Sequence, residues 1–354
     1  MVNAKALQKM IYLDLPQQQH GVALIIVMFL LALATIVVTT IINLVHVNMD
    51  RTSAFLETKQ AYLLCLSGEE WARQLLAEDY KLNPNIDHVH EEWAKDGKIL
   101  DVSNGYIEVA IVDAQGLFNI NNLVEDNGTV DANSKIAFTN LLTLYLRDQQ
   151  ASTVLASEAV DWLDIDSNNG VEEADYLSLE LPYRPPNSRV TNISELRWLR
   201  DMDVKQYKVL HDHLFSQLVA LPHHTSYNIN TLSSVVLAAL AGTDIAQAEG
   251  IIRNIQAAPN GIENVGTAGA MLPANVSSIL TPELVTYSEY FVVRVRAKFA
   301  GHYAFLQSLV FRDHEKNGAI QVISRDRSQR FIFPFSRDYN ASKKDNEFEV
   351  KLSI

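Results

Sequence analysis

Between Asp14 and Asp50 the chain carries no Asp, Glu, Lys or Arg, and within that stretch residues 22–45 (VALIIVMFLLALATIVVTTIINLV) are interrupted only by three Thr and one Asn. At ~1.5 Å rise per residue a helix of this length reaches ~36 Å, against a hydrocarbon core of ~30 Å. A cleaved secretory segment has an apolar region of only ~7–15 residues, so this one reads as a membrane-spanning helix that stays with the protein. Lys5 and Lys9 before it, against Asp14 alone, place the N-terminus in the cytoplasm and everything beyond residue 45 on the far side. Other apolar runs are short, which excludes a polytopic membrane protein and leaves one span with an external body of about 300 residues.

The helix is expected to continue past the membrane. No Pro occurs over residues 50–83, and small or apolar residues recur at helical steps, as in Ala61, Cys65, Gly68 and Ala72. Pro84 supplies the stop, giving a helix of ~60 residues. Cys65, the single cysteine, lies on that stripe as a buried small hydrophobe; alone it excludes an internal disulfide and a thiolate zinc cluster. Alternating segments at residues 106–112 (YIEVAIV) and 116–120 read as strands, and so do 290–299 (YFVVRVRAKF), 303–311 (YAFLQSLVF) and 320–325. Gly301 and Asn317-Gly318 supply the turns. Strands thus bracket a helical region over residues 131–283. The simplest organisation is a span (22–45), a helix with first strands (46–130), an inserted helical domain (131–283), closing strands (284–327) and a tail (328–354).

The densest chemistry lies at residues 161–176 (DWLDIDSNNGVEEADY). Counting Asp164 as position one, positions 1, 3, 5, 9, 10 and 12 are among those that offer carboxylate or amide oxygens, close to the spacing of an EF-hand loop. Gly170 stands at position seven rather than six, and Asp175 replaces the closing Glu, so the loop is not a true EF-hand. Carboxylates this crowded repel one another without a counter-ion. Oxygen-only donors favour Ca²⁺ over zinc or copper. By spacing, Glu172 and Asp175 join Asp164 and Asp166, and Asn187, after Pro185-Pro186, brings a further oxygen or merely makes a turn. The alternative is a solvated acidic loop. His88/His90 and His223/His224 each lack a third ligand with convincing spacing and read as surface histidines.

Residues 195–204 can be laid on 236–245, so that Leu196, Leu199, Asp203 and Val204 meet Leu237, Leu240, Asp244 and Ile245. Such paired helices resemble helix–hairpin–helix units that bind duplex phosphate. Between Thr191 and Gln256, however, five basic residues face six acidic ones, and the chain as a whole carries −13. Nucleic acid is therefore not an expected partner, and the repeat reads as scaffolding. No Gly-x-Ser-x-Gly, phosphate-binding Gly-rich loop or His-Glu-x-x-His is present.

The polar leader ending in Gly21, followed at once by the apolar helix, is similar to the class III signal of type IV pilins and type II secretion pseudopilins. Further segments in order, VDAQGLFNINNLV (112–124), DWLDIDSN, YLSLELPYR (176–184), ISELRWLR (193–200), YNINTLSSVVLAAL (227–240) and YFVVRVRA (290–297), resemble the minor pseudopilin K of type II secretion, also called general secretion pathway protein K. That resemblance implies an α+β, type IV pilin-like fold, a long N-terminal helix on an antiparallel sheet with a large all-helical domain inserted between strands. It implies a non-catalytic protein at the tip of the periplasmic pseudopilus, anchored in the bacterial inner membrane. Its partners would be the I- and J-type minor pseudopilins, the prepilin peptidase, which cuts between Gly21 and Val22 (the new N-terminus being methylated), and secreted proteins. Calcium is implied at Asp161, Asp164 and Asp166. The chain departs from the pilin pattern at two points: His20 stands where Lys or Arg is usual, and Ile26 stands where the fifth mature residue is normally Glu. Other readings are a single-span periplasmic hydrolase using the carboxylate loop and a competence-type nucleic-acid receptor using the repeats.

Overall fold

The structure is a computed structural model and describes residues 20–95, 97–164, 171–328, 330, 331 and 333. Helix α1 (His20–Leu82) is continuous over 63 residues. Two compact units divide the chain between Lys59 and Gln60. In the first, residues 21–53 are exposed throughout, Leu24, Ile25, Met28 and Phe29 among them. This helix is long and apolar enough to cross a membrane, a candidate anchor whose bare side chains suit lipid rather than water.

In the second unit the remainder of α1 buries Ala61, Cys65, Gly68, Ala72 and Leu76 on one face. They pack on alternating residues of an antiparallel sheet: Ile107, Val109 and Ile111 of β2 (Gly105–Asp113), Phe291, Val293, Val295 and Ala297 of β7 (Tyr290–Phe299), and Leu306 and Val310 of β8 (His302–Asp313). The period of two places one face of each strand on the helix. The edges are β1 (Lys98–Val102), which the sequence reading did not anticipate, and β9 (Ala319–Asp326), giving the order β1-β2-β7-β8-β9. The residues at the two hairpin turns of β7–β8 and β8–β9, Ala300-Gly301 and Asn317-Gly318, all have positive φ, the geometry that matches strand twist. Burial pushes the Cys65 thiol up to about 12, leaving it an inert core atom.

Small residues on α1 allow the close approach. A Cβ at Gly68 would lie 2.7 Å from a Val295 methyl and 2.8 Å from an Ile107 methyl, both on stiff β-branched side chains. Gly68→Val is expected to cost ~1–3 kcal/mol through overpacking, read as a lower melting temperature; an unchanged midpoint would show that the helix and sheet can separate freely.

Strands β2 and β7 pair from Gly105↔Phe299 to Asp113↔Phe291, so they form a hairpin whose turn is replaced by residues 114–289. That excursion is wider than 131–283 at both ends. The strand expected at 116–120 is corrected: only Phe118–Asn119 (β3) is extended, and it pairs in parallel with Leu218–Val219 (β4) rather than with the main sheet. The Asp113 and Asn119 side chains accept the N–H groups of Gln115 and Asn121, turning the backbone into 3₁₀ helix on either side. A second two-residue parallel pair joins Tyr227–Asn228 (β5) to Leu284–Val285 (β6). The rest is mainly helical: α2 (Ala132–Leu146), α3 (Gln149–Leu163), α4 (Val171–Leu177), α5 (Val204–Val209), α6 (Ser234–Ala241), α7 (Ile245–Gln256), α8 (Val265–Gly269) and α9 (Ala274–Leu280). Their core centres on Phe118 stacked on Phe138, with Leu141, Leu155, Leu163 and Leu237.

The internal repeat is visible in the caps. Asp203 and Asp244 each accept the N–H of the Gln three residues on, starting α5 and α7. The first copy opens on a 3₁₀ helix (Ile193–Trp198) where the second has α6, so the two share cap chemistry more than helix length.

Candidate calcium loop and the polar frame around the insertion

The carboxylate-rich segment leaves the end of α3. Asp161 is half-buried in the last turn, and Asp164 ends the helix, its N–H donating to the Val160 carbonyl at 2.8 Å. Asp166 lies outside the described residues, as does the rest of 165–170; Glu172 falls on α4, which follows. Asp175, also on α4, accepts from Arg200 Nη1 at 2.5 Å, and the same guanidinium reaches Glu158 Oε1 at 3.2 Å. Glu158 is pushed up to about 7 by burial, with the Asp201 charge adding to it. Asn187 has a left-handed φ of 45°, and its Oδ1 is buried without a hydrogen-bond partner among the described residues. An orphaned buried amide oxygen is the kind of atom a hard cation satisfies. Asp175 fits less simply, because Arg200 already neutralises it.

Beside these residues stand four rings contributed by three of the sequence motifs. Tyr176 lies 6.1 Å from Trp162 and 5.3 Å from Tyr183, and Tyr183 lies 5.7 Å from Trp198, to whose carbonyl its hydroxyl donates. Burial and the nearby Glu158 charge raise the Tyr176 hydroxyl well above the usual tyrosine range. The cluster fixes α4 and the Pro-rich segment against the end of α3.

A polar frame that the sequence reading did not identify holds the insertion together. Asn121 donates to the carbonyls of Val190 and Leu221 and accepts the Val190 N–H; Asn122 both donates to and accepts from the Thr225 backbone. Asn230 does the same with Ile262. Each amide imitates a missing strand neighbour, and leaving one such buried group unpaired would cost ~1–3 kcal/mol. The signal was present in the repeated Asn-Ile-Asn triplets at 119–121 and 228–230. Where the insertion rejoins the sheet, Asn228 donates to the Asp87 carbonyl, Asp113 Oδ2 and Ser288 Oγ, and Arg312, fully buried, pairs with Asp87 and lies 3.4 Å from Asp79. His88 is half-buried beside Glu91 rather than at the surface, and His223 Nε2 lies 2.8 Å from the Tyr290 hydroxyl.

Comparison with known proteins agrees with this architecture. Residues 116–222, within the insertion, match the family described as type II secretion system (T2SS), protein K. Type II secretion system protein K of Pseudomonas aeruginosa is 30% identical over 327 residues, 88% of this chain and 93% of that protein. The protein K of Pectobacterium carotovorum subsp. carotovorum is 28% identical over 325 residues, 87% of this chain and 96% of that protein. The crystal structure of the GspK-GspI-GspJ complex from the enterotoxigenic Escherichia coli type 2 secretion system contains a chain that matches over 79% of this chain and 100% of its own length, with a TM-score of 0.67 and 24% identity, which shows a shared fold. With a relative this similar over nearly its whole length, the chain belongs to the type II secretion system protein K family.

Proposed function

We propose that this protein is a non-catalytic minor pseudopilin that caps the tip of the pseudopilus and initiates its assembly, together with I- and J-type minor pseudopilins, for export of folded proteins across the outer membrane. The observation that carries this is Ile26, an exposed apolar side chain in the membrane helix where a pilin subunit has Glu. A terminal amine freed at Val22 in the subunit ahead would find no carboxylate on this chain, and an unpaired charge in lipid is costly. The chain therefore accepts companions behind it and none ahead. The insertion at 114–289, which interrupts the β2–β7 hairpin, supports the same reading, since a terminal position tolerates such a bulky addition. The family relationship and the complex formed by the enterotoxigenic Escherichia coli relative support the choice of partners.

In this reading the prepilin peptidase removes residues 1–21 on the cytoplasmic side of the inner membrane, and the body lies in the periplasm. Mass spectrometry of the mature chain tests it: a methylated terminus at Val22 is expected, and an intact leader or a cut elsewhere contradicts it.

Calcium belongs to the proposal. Asp161, Asp164 and Asp166, with Glu172, Asp175 and Asn187 drawn in by spacing, would hold it, and it would cross-link the end of α3, α4 and the Pro-rich segment. At calcium ~100-fold above Kd, the gain in stability is ~2.7 kcal/mol. Asp164→Ala with Asp166→Ala should lose the matching share of the rise in melting temperature on adding Ca²⁺; an unchanged rise would return the loop to a solvated acidic surface.

A further inference from the structure

A second group of carboxylates stands apart from the loop, at the root of the sheet. Asp79 occupies the last full turn of α1, where the helix dipole is negative and a carboxylate is disfavoured. Asp87 and Glu91 follow in the connection to β1, and one carboxylate oxygen from each of the three lies within 4.8 Å of the others. Three carboxylate oxygens brought this close together can share one oxygen-preferring cation.

The charge is only partly balanced. Arg312 pairs with Asp87 and approaches Asp79, whereas the donors to Glu91 Oε2 among the described residues are neutral, the His88 N–H and the Trp93 indole. Its Oε1 lies 3.6 Å from His88 Nε2, beyond hydrogen-bond reach. Asp87 is fully buried, its Oδ2 is taken by Arg312 and the Ser288 N–H, and its Oδ1 has no hydrogen-bond partner among the described residues. A buried carboxylate oxygen without a hydrogen-bond partner among the described residues, beside two further carboxylates, is an unsatisfied acceptor that a cation would complete.

We propose that Asp79, Asp87 and Glu91 form a site for an oxygen-preferring divalent cation such as calcium, separate from the α3–α4 loop. It would tie the end of α1 to the connection that receives the insertion, since the Asp87 backbone donates to the Thr286 carbonyl and accepts from Asn228.

The test uses the full chain in detergent with the Asp161→Asn, Asp164→Asn double substitution, so that the loop is weakened independently. Bound Ca²⁺ per chain is counted by equilibrium dialysis, in wild type and in this variant, each with and without Glu91→Gln. The site predicts one fewer ion with Glu91→Gln in both backgrounds; the same count overturns it. Should Glu91→Gln fail to fold, Tb³⁺ serves as a calcium analogue, because the Trp93 indole nitrogen sits 2.7 Å from Glu91. Tryptophan-sensitised emission should persist in the loop variant, fall on adding Ca²⁺ and drop severalfold with Trp93→Phe. Emission that is absent from the loop variant, or unchanged by Trp93→Phe, rejects the site.

Discussion

Arg312→Met should destabilise the body by ~3–5 kcal/mol, the cost of removing one partner from a buried ion pair and leaving the other charged. At ~2 °C per kcal/mol for a long chain, the melting temperature falls by at least ~6 °C. The guanidinium is fully buried, sits 4.7 Å from the Phe291 ring, and is the cation shared by Asp79 and Asp87. Arg312→Lys should fall between the two, since an ammonium keeps the charge but cannot present two parallel N–H groups. Arg253→Met is the control: its pair with Glu249 is exposed on both sides and should be worth at most ~0.5 kcal/mol.

The pH dependence follows from the same groups. Burial pushes Asp79 and Asp87 up to about 6, and burial with the Asp79 charge pushes Glu91 up to about 8. All three stand above the ordinary carboxylate range of ~4, so the folded chain binds more protons than the unfolded one. In calcium-free buffer this contribution is full below about pH 4 and is lost as the pH rises through 6 to 8. The Arg312→Met deficit should therefore be larger at pH 8 than at pH 5. A deficit independent of pH would mean that the carboxylates do not depend on Arg312.

The second large effect is on processing. Gly21→Leu should leave the leader attached and abolish secretion when this chain is the only copy of its gene. A Cβ at Gly21 meets nothing within 4 Å, and Leu is a better helix former than Gly, so folding gives no reason for a loss. Full-length mass together with lost secretion would trace the defect to the cut. Normal secretion by the uncut protein would show that the Gly21–Val22 junction has no part in function.

The parts of the fold with strict periodicity were readable directly. The Ala61, Cys65, Gly68, Ala72 stripe, the alternation at 290–299 and the Asn317-Gly318 turn each rest on one local rule and lie where that rule places them. β1 escaped notice because KILDV alternates weakly at an edge. Residues 116–120 look like a strand by composition, but Asp113 and Asn119 offer the backbone nearer partners. The polar frame was hidden for a different reason. Asp79, Asp87, Glu91, Asp113 and Arg312 are scattered over more than two hundred positions and acquire meaning only when the sheet brings them together. The carboxylate loop was conspicuous because its residues are consecutive.

Placement within assembled pseudopili tests the central claim most directly. Pseudopili overproduced with an epitope-tagged copy of this chain and examined by immunogold microscopy should carry label once, at one end. Label repeated along the shaft would mean that Ile26 does not bar a subunit ahead, and the capping role would be contradicted.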